Sequence, residues 1–451
     1  MSRADRICRR IIQLMAIAAL LLLGYVIIGR FEELRQHFSR MAAVYLLPIG
    51  SLALLTTVIG WSRRPIHALA LTVLLSLLLP IYAFEGWLIV QYEQTEAKVM
   101  QAAQRLGYPY DGRTVTEVVT AERQRLASDR VHSFFRLVTA LEHEQLMLLG
   151  NTPRHRIVYC NEIGPYMIFD ADRHGFNNPD LLWQQQRPDL MLIGDSYTQG
   201  ACIPDGKDLA SSIRQAIPGT LNLGMGGNDP FLNLATLVEY AVPMRPRRVL
   251  WFHFAGNDLS GMMGNRNHPI LQRYVNDGHF SQQLLQRSDE IEQRMVRFYR
   301  EQIATQPVEP RRPLYQRVLT RGHLDHWWRL YFLRNRLGLV HWSGETIDFD
   351  LFRRIMQRAR DVAVENHIEL TIVNVPHVYQ IGKPADGAQQ QVQSIVQSLS
   401  LPWYDLLLPF ATVTNPASLY AFQYSGGHFS PAGNQQAAQA VLHHLSSGGP
   451  P

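Results

Sequence analysis

The residues best suited to chemistry in this chain are a serine and a histidine, each set in a glycine-bearing turn. Gly194-Asp-Ser-Tyr-Thr-Gln-Gly200 puts Ser196 directly after a short apolar run. A serine there stands at the carboxyl end of a strand, on the tight turn that opens a helix, where its hydroxyl faces a ligand. The next run ends in Asn222-Leu-Gly-Met-Gly-Gly-Asn228, a turn whose backbone amides can approach a ligand closely. A third ends in Gly256-Asn257-Asp258, and Gly426-Gly-His428-Phe-Ser-Pro431 precedes the last helical stretch. A serine hydroxyl attacks an ester carbonyl once a histidine takes its proton. The oxyanion so formed needs preorganised donors, each typically worth about 2.7–4 kcal/mol. Ser196 and His428 are therefore the candidate nucleophile and base, and Asp195 is better placed to organise the turn than to react.

The elements that must position these residues begin at Asp189. Short apolar runs at 190–193, 220–223, 249–254 and 370–374, with a weaker one at 402–404, alternate with helical stretches at about 207–217, 229–242, 349–366, 386–399 and 431–446. Such repetition predicts a parallel sheet with helices on both faces, whose active site lies beyond the carboxyl ends of the strands. Ser196, the 224–227 glycines, Asn257 and His428 then share one edge. Residues 262–345, rich in Trp, Tyr and Arg, break the repeat and read as a helical insertion over the sheet.

In order and spacing, the four blocks resemble the SGNH subgroup of GDSL-type serine hydrolases, over roughly Asp189 to Leu445. The element Asp170-Ala-Asp-Arg-His-Gly-Phe-Asn-Asn-Pro179 looks like the lead-in of membrane-anchored bacterial members. The resemblance implies an α/β, flavodoxin-like three-layer fold. It further implies an oxyanion hole made of the Ser196 and Gly227 backbone N–H groups and the Asn257 side chain. Gly227 is preferred over Gly224 and Gly226 because it lies five residues after Asn222, matching the family's second block. Many members carry an aspartate three residues before the histidine to hold its tautomer, but here that position is Ser425. Either a Ser–His dyad operates with a backbone carbonyl orienting His428, or another carboxylate such as Asp405 fills in. Asp172 and His174 resemble the permuted Asp-x-His of alginate O-acetyltransferases, although the following Gly-Phe-Asn-Asn does not continue that pattern. His377, after Val375-Pro376 at a strand end, reads as a structural residue lining the cleft rather than a catalytic one.

The chain opens with three apolar runs, Ile11–Gly29, Met41–Trp61 and His67–Val90, whose only charge is Glu85. Each has the roughly 20 residues that a helix needs to cross a hydrocarbon core. Arg3, Arg6, Arg9, Arg10, Arg63 and Arg64 outnumber Arg30, Arg35 and Arg40 in the first loop. That bias puts the N-terminus in the cytoplasm of a bacterial inner membrane and the bulk of the chain in the periplasm. The expected organisation is a membrane anchor with three transmembrane helices over 1–93, a helical neck over 94–150 and the hydrolase-like domain over 151–451.

The chain has 451 residues, 46% of them hydrophobic, which excludes a mainly disordered protein or a disulfide scaffold. Its net charge of +5 is concentrated in the first 66 residues, leaving the remainder close to neutral, so nucleic acid is not an expected partner. No metal-ligand spacing or cofactor motif is present. The three cysteines leave one plausible pair, Cys160 and Cys202, either bonded in an oxidising compartment or both free. The reading that follows is a serine esterase or O-acyltransferase acting on O-acetyl groups of cell-surface polysaccharide. Its partners would be an acylated carbohydrate, the bilayer and, for a transferase, a membrane acyl-donor protein. The competing reading is a catalytically degenerate polysaccharide-binding or assembly subunit, which the missing aspartate favours.

Overall fold

The computed structural model describes residues 2–29, 31–36, 38, 42–93, 95–134, 146–303, 314–320, 323, 326–327, 329–337, 347–383, 385 and 387–447. The chain divides into two compact units: residues 1–94 with 312–346, and residues 95–311 with 347–451.

In the first unit, Arg3–Gly29 and His67–Glu93 are 27-residue helices, long and apolar enough to cross a membrane. The middle run differs from its expectation. It is regular α-helix only over the 14 residues Leu47–Gly60, with a π turn at Ala42–Leu46 before it. Pro48 has no N–H to continue the ladder backwards, which accounts for the break in regular hydrogen bonding. Two spans of full length are therefore found among the described residues, not three. Asp5 joins the two long helices: its carboxylate accepts from the His67 backbone N–H at 3.1 Å and faces His67 Nδ1 at 3.2 Å.

The expected insertion over 262–345 is not one element. Its second half belongs with the apolar helices, where buried Glu85 accepts hydrogen bonds from the Phe332 and Leu333 backbone N–H groups at 2.8 and 2.7 Å. These are first-turn donors of the helix Tyr331–Arg336, which lack partners within their own helix. The Trp327 indole N–H donates to the Tyr82 carbonyl at 3.1 Å, and His323 meets Glu93 at 2.5 Å. Glu85 thus has a structural task that its sequence position did not reveal.

The second unit is built on a five-stranded parallel sheet. Its strands are β4 (Leu190–Ile193), β5 (Leu221–Asn222), β6 (Arg248–Phe254), β7 (Glu369–Val375) and β8 (Trp403–Asp405). Their spatial order is β5-β4-β6-β7-β8, the 2-1-3-4-5 order of doubly wound flavodoxin-like folds. Alternation sends Met191, Ile193, Val249 and Trp251 to one face, packed with Phe231, Phe352 and Ile355. Leu190, Leu192, Leu250 and Phe252 face the other, packed with Leu209, Ile213, Phe410 and Val441. The helices start where side chains cap them: Asp208 before Leu209–Arg214, Asp229 before Pro230–Thr236, Asp348 before Phe349–Glu365 and Ser430 before Pro431–Ser446.

A second, three-stranded sheet was not anticipated. It comprises β1 (Val131–Ser133), β2 (Arg156–Val158) and β3 (Ile168–Asp170), with β1 parallel and β3 antiparallel to β2. The region expected as a separate neck is part of this unit. Thr95–Leu106 and Val115–Leu126 are helices, and Val118 and Val119 of the latter pack on Val131 and Val158.

Candidate active site

Ser196 is the first residue of a one-turn helix, Ser196–Gln199, at the carboxyl end of β4. Asp195 caps it, accepting from the Tyr197 N–H at 2.9 Å. Asn222, at the end of β5, ties the neighbouring strand to the same turn: its amide donates to the Thr198 carbonyl at 2.8 Å while its Oδ1 accepts from Gly224 N–H at 2.9 Å. The Tyr197 hydroxyl donates to the Gly427 carbonyl at 2.9 Å, so the residue after the serine holds the loop that carries the histidine. Gly427 has φ +78°, a left-handed turn that glycine adopts without strain.

This framework brings the Ser196 hydroxyl to 2.9 Å from His428 Nε2. On the other side of the ring, His428 Nδ1 lies 2.9 Å from Glu162 Oε1, and the His428 backbone N–H donates to Glu162 Oε2 at 2.7 Å. Glu162, not Asp405, is the carboxylate at the imidazole. Asp405 is occupied elsewhere, accepting from the Asn374 amide at 2.8 Å and the Leu407 N–H at 2.9 Å. No motif marked Glu162 in the sequence, since it lies after β2 in the small sheet, 34 residues before the serine.

The pair is electrostatically matched. Burial alone pushes the His428 imidazole down, but the Glu162 charge and hydrogen bond hold it above the ordinary histidine range. Burial likewise pushes the Glu162 carboxyl up, and the attraction of His428 together with its two hydrogen bonds outweighs that and holds it low. Asp195 is different. Buried and close to Asp258, its carboxyl is pushed up to about 8. Asp258 is itself raised by burial, although His253 Nδ1 lies 3.1 Å from its carboxylate. Asp195 is therefore a largely neutral cap at pH 7, in keeping with an organising residue.

The candidate oxyanion donors sit on the loops flanking β4. Gly226 and Gly224 spend their N–H groups internally, on Gln199 Oε1 at 2.8 Å and on Asn222 respectively. Gly227 follows them at φ +85°. Asn257 is solvent-exposed, immediately before the helix Asp258–Asn265. Gly226 also admits Tyr159 from the small sheet, since a Cβ at this glycine would lie 2.3 Å from the Tyr159 hydroxyl.

Two further sequence candidates turn out to be structural. The Asp172 carboxylate accepts from His174 N–H, Phe176 N–H, the Asn178 amide and the Trp183 indole, all within 3.0 Å, and is fully used. His174 is paired with Ser288. His377 caps the turn Val378–Gln380 through its ring. Cys160 and Cys202 are disulfide-bonded. Glu162, Cys202 and His428 present donor atoms within 4.8 Å of one another, but Cys202 has no thiolate to offer and both His428 ring nitrogens are engaged. That set does not suit a metal ion.

No family model matches this sequence, and no curated protein matches it. Among solved structures it is similar to a two-domain esterase active on acetylated mannans, co-crystallised with mannopentaose, at 11% identity over 60% of this chain and 52% of that one, with a TM-score of 0.32. It is also similar to an acetyl xylan esterase, at 11% identity over 57% of this chain and 99% of the other, TM-score 0.31. A third match is a lipase/acylhydrolase from Enterococcus faecalis, at 15% identity over 58% and 96%, TM-score 0.29. The chain spans about half the length of the first of these.

Proposed function

We propose that this protein is a membrane-anchored SGNH-type serine acyl-ester hydrolase or O-acyltransferase. In this reading Ser196 is the nucleophile, His428 the general base and Glu162 the carboxylate that orients the imidazole. The observation that carries it is the unbroken relay from the Ser196 hydroxyl through His428 to Glu162, with both ring contacts at 2.9 Å. Glu162 supplies the carboxylate missing at Ser425, which favours a working site over a degenerate one.

His428 Nε2 takes the Ser196 proton as Oγ bonds to the acyl carbon, and the resulting imidazolium is stabilised by Glu162. The Ser196 and Gly227 N–H groups and the Asn257 amide receive the oxyanion. Imidazolium then protonates the departing alkoxide, leaving a seryl ester. Water, or an acceptor hydroxyl in a transferase, repeats the sequence in reverse and restores Ser196.

The substrate class is an O-acetyl ester of cell-surface polysaccharide, and a transferase would need an acyl-donor protein in the membrane. The two long apolar helices support an inner-membrane anchor; with a cytoplasmic N-terminus, a periplasmic catalytic unit requires the middle apolar run, helical over Leu47–Gly60, to cross as well. The Cys160–Cys202 bond supports the same oxidising location.

The test uses full-length protein in detergent, treated with a fluorophosphonate probe and with p-nitrophenyl acetate, beside Ser196→Ala and His428→Ala. Labelling and acetate release are expected in the wild type and absent from both variants. A folded wild type inert to both reagents would overturn the esterase reading.

A further inference from the structure

Glu162 is not held by the sheet that carries its partners. Ser196 and His428 belong to the five-stranded sheet and its flanking helices, whereas Glu162 lies on the loop between β2 and β3 of the separate small sheet. A triad acid on an independent layer needs its own tie to the nucleophile loop.

The tie is the Cys160–Cys202 bond. Cys160 precedes Glu162 by two residues, Cys202 follows Ser196 by six, and their Cα atoms are 4.7 Å apart. Cys202 Sγ also lies 3.7 Å from His428 Nδ1, on the same ring nitrogen that faces Glu162. Cys202 adopts φ +61°, a conformation that non-glycine residues rarely take. The rest of the loop is braced by the neck: the Asn161 amide donates to the Asp111 carbonyl at 2.9 Å, and Asp111 N–H to the Gly164 carbonyl at 3.0 Å. Ile163 packs with Ile203 and Ala421, joining all three catalytic loops in one small apolar cluster.

We infer that the Cys160–Cys202 disulfide is the positioning group for Glu162, so that activity depends on its oxidation state; this rests on the catalytic reading above. A dithiol reductant would open it by thiolate attack on one sulfur and intramolecular resolution. Two electrons pass to the protein sulfurs, the reductant becomes a disulfide, and both cysteines leave as thiols. The Glu162 loop then loses its covalent link to the nucleophile loop, and the carboxylate is no longer held against His428 Nδ1.

The experiment compares oxidised and dithiothreitol-reduced full-length protein, in wild type and Glu162→Gln, by kcat/KM for p-nitrophenyl acetate across pH. Reduction of the wild type is expected to lower kcat/KM about ten- to a hundredfold and to shift the acid limb downward, short of the roughly 10⁴-fold loss seen when a triad orienter fails outright. In Glu162→Gln, reduction is expected to add little, because the residue being positioned is already lost. An unchanged reduced wild type, or an equal loss in both backgrounds, would overturn the inference, the latter marking a purely structural bond. A second readout does not need turnover: the His428 imidazole, labelled with ¹³C and assigned by its loss in His428→Ala, should titrate lower after reduction. If oxidised wild type is inert yet this shift appears, the catalytic reading fails and the positioning stands. If it is active and no shift appears, the positioning fails alone.

Discussion

The carboxylate of Glu162 grips His428 at two points, one oxygen 2.9 Å from Nδ1 and the other 2.7 Å from the backbone N–H of the same residue. The side chain therefore sets both the tautomer of the ring and the course of the loop beneath it. A carboxylate one methylene shorter could satisfy only one of these contacts. Glu162→Asp is expected to retain part of the activity. Glu162→Gln, which keeps the length but loses the charge that stabilises imidazolium, should reduce kcat/KM by about 10²–10⁴. Asp405→Asn should leave kcat/KM close to wild type, since Asp405 braces Asn374 and Leu407. Steady-state kinetics on the three variants checks the assignment.

The acid limb of the pH–rate profile follows from His428. Only neutral imidazole can take the serine proton, and Glu162 holds the His428 pKa above its ordinary value. Activity should therefore fall, as pH is lowered, with a midpoint above about 6.5. Removing the charge with Glu162→Gln lowers the imidazole pKa and moves that midpoint to lower pH. A midpoint that stays fixed in the variant would contradict this coupling.

Asp195 makes a separate, thermodynamic prediction. Its folded pKa is raised to about 8 by burial and Asp258, well above the roughly 3.9 of an unfolded aspartate. Between those values the native state holds a proton that the unfolded state has released, so this group's contribution to stability declines as pH rises from about 4 to about 8. Asp195→Asn keeps an acceptor for the Tyr197 N–H and removes the ionisation. Its Tm should depend less on pH across that window and exceed that of the wild type at pH 8, as read by thermal melts.

Gly164 tests whether the neck braces the Glu162 loop. Its φ is +116°, and a Cβ there would lie 2.7 Å from the Pro109 carbonyl oxygen and 2.8 Å from Ala103 Cβ. Gly164→Ala is expected to cost about 1–2 kcal/mol of stability or more and to lower kcat/KM by displacing Glu162. Denaturant melts paired with kinetics on the folded protein separate the two effects.

In the first unit, Glu85→Ala removes the acceptor for the Phe332 and Leu333 N–H groups. Limited proteolysis within residues 312–346 should become faster, with no change in cleavage of the five-stranded sheet.

What the sequence determined by itself is the part governed by local periodicity and turn chemistry. Alternating apolar runs and capped helices specified the parallel sheet. The ends of β4, β5 and β6 and the start of Pro431–Ser446 specified where Ser196, Gly227, Asn257 and His428 would lie. Apolar length specified two of the three proposed spans, while Pro48 interrupted the regularity of the other. Tertiary structure alone decided which carboxylate meets His428. Glu162 reaches it from another sheet, through a disulfide and a neck contact that no spacing announces; only the assumption of a Cys160–Cys202 bond would have drawn it near Ser196. The same holds for the segment after residue 312. Its composition suggested an insertion over the sheet, but one buried carboxylate, Glu85, satisfies two backbone donors and fixes it against the apolar helices. Pairings between distant segments depend on which buried polar groups find partners, and local sequence pattern carries no record of that.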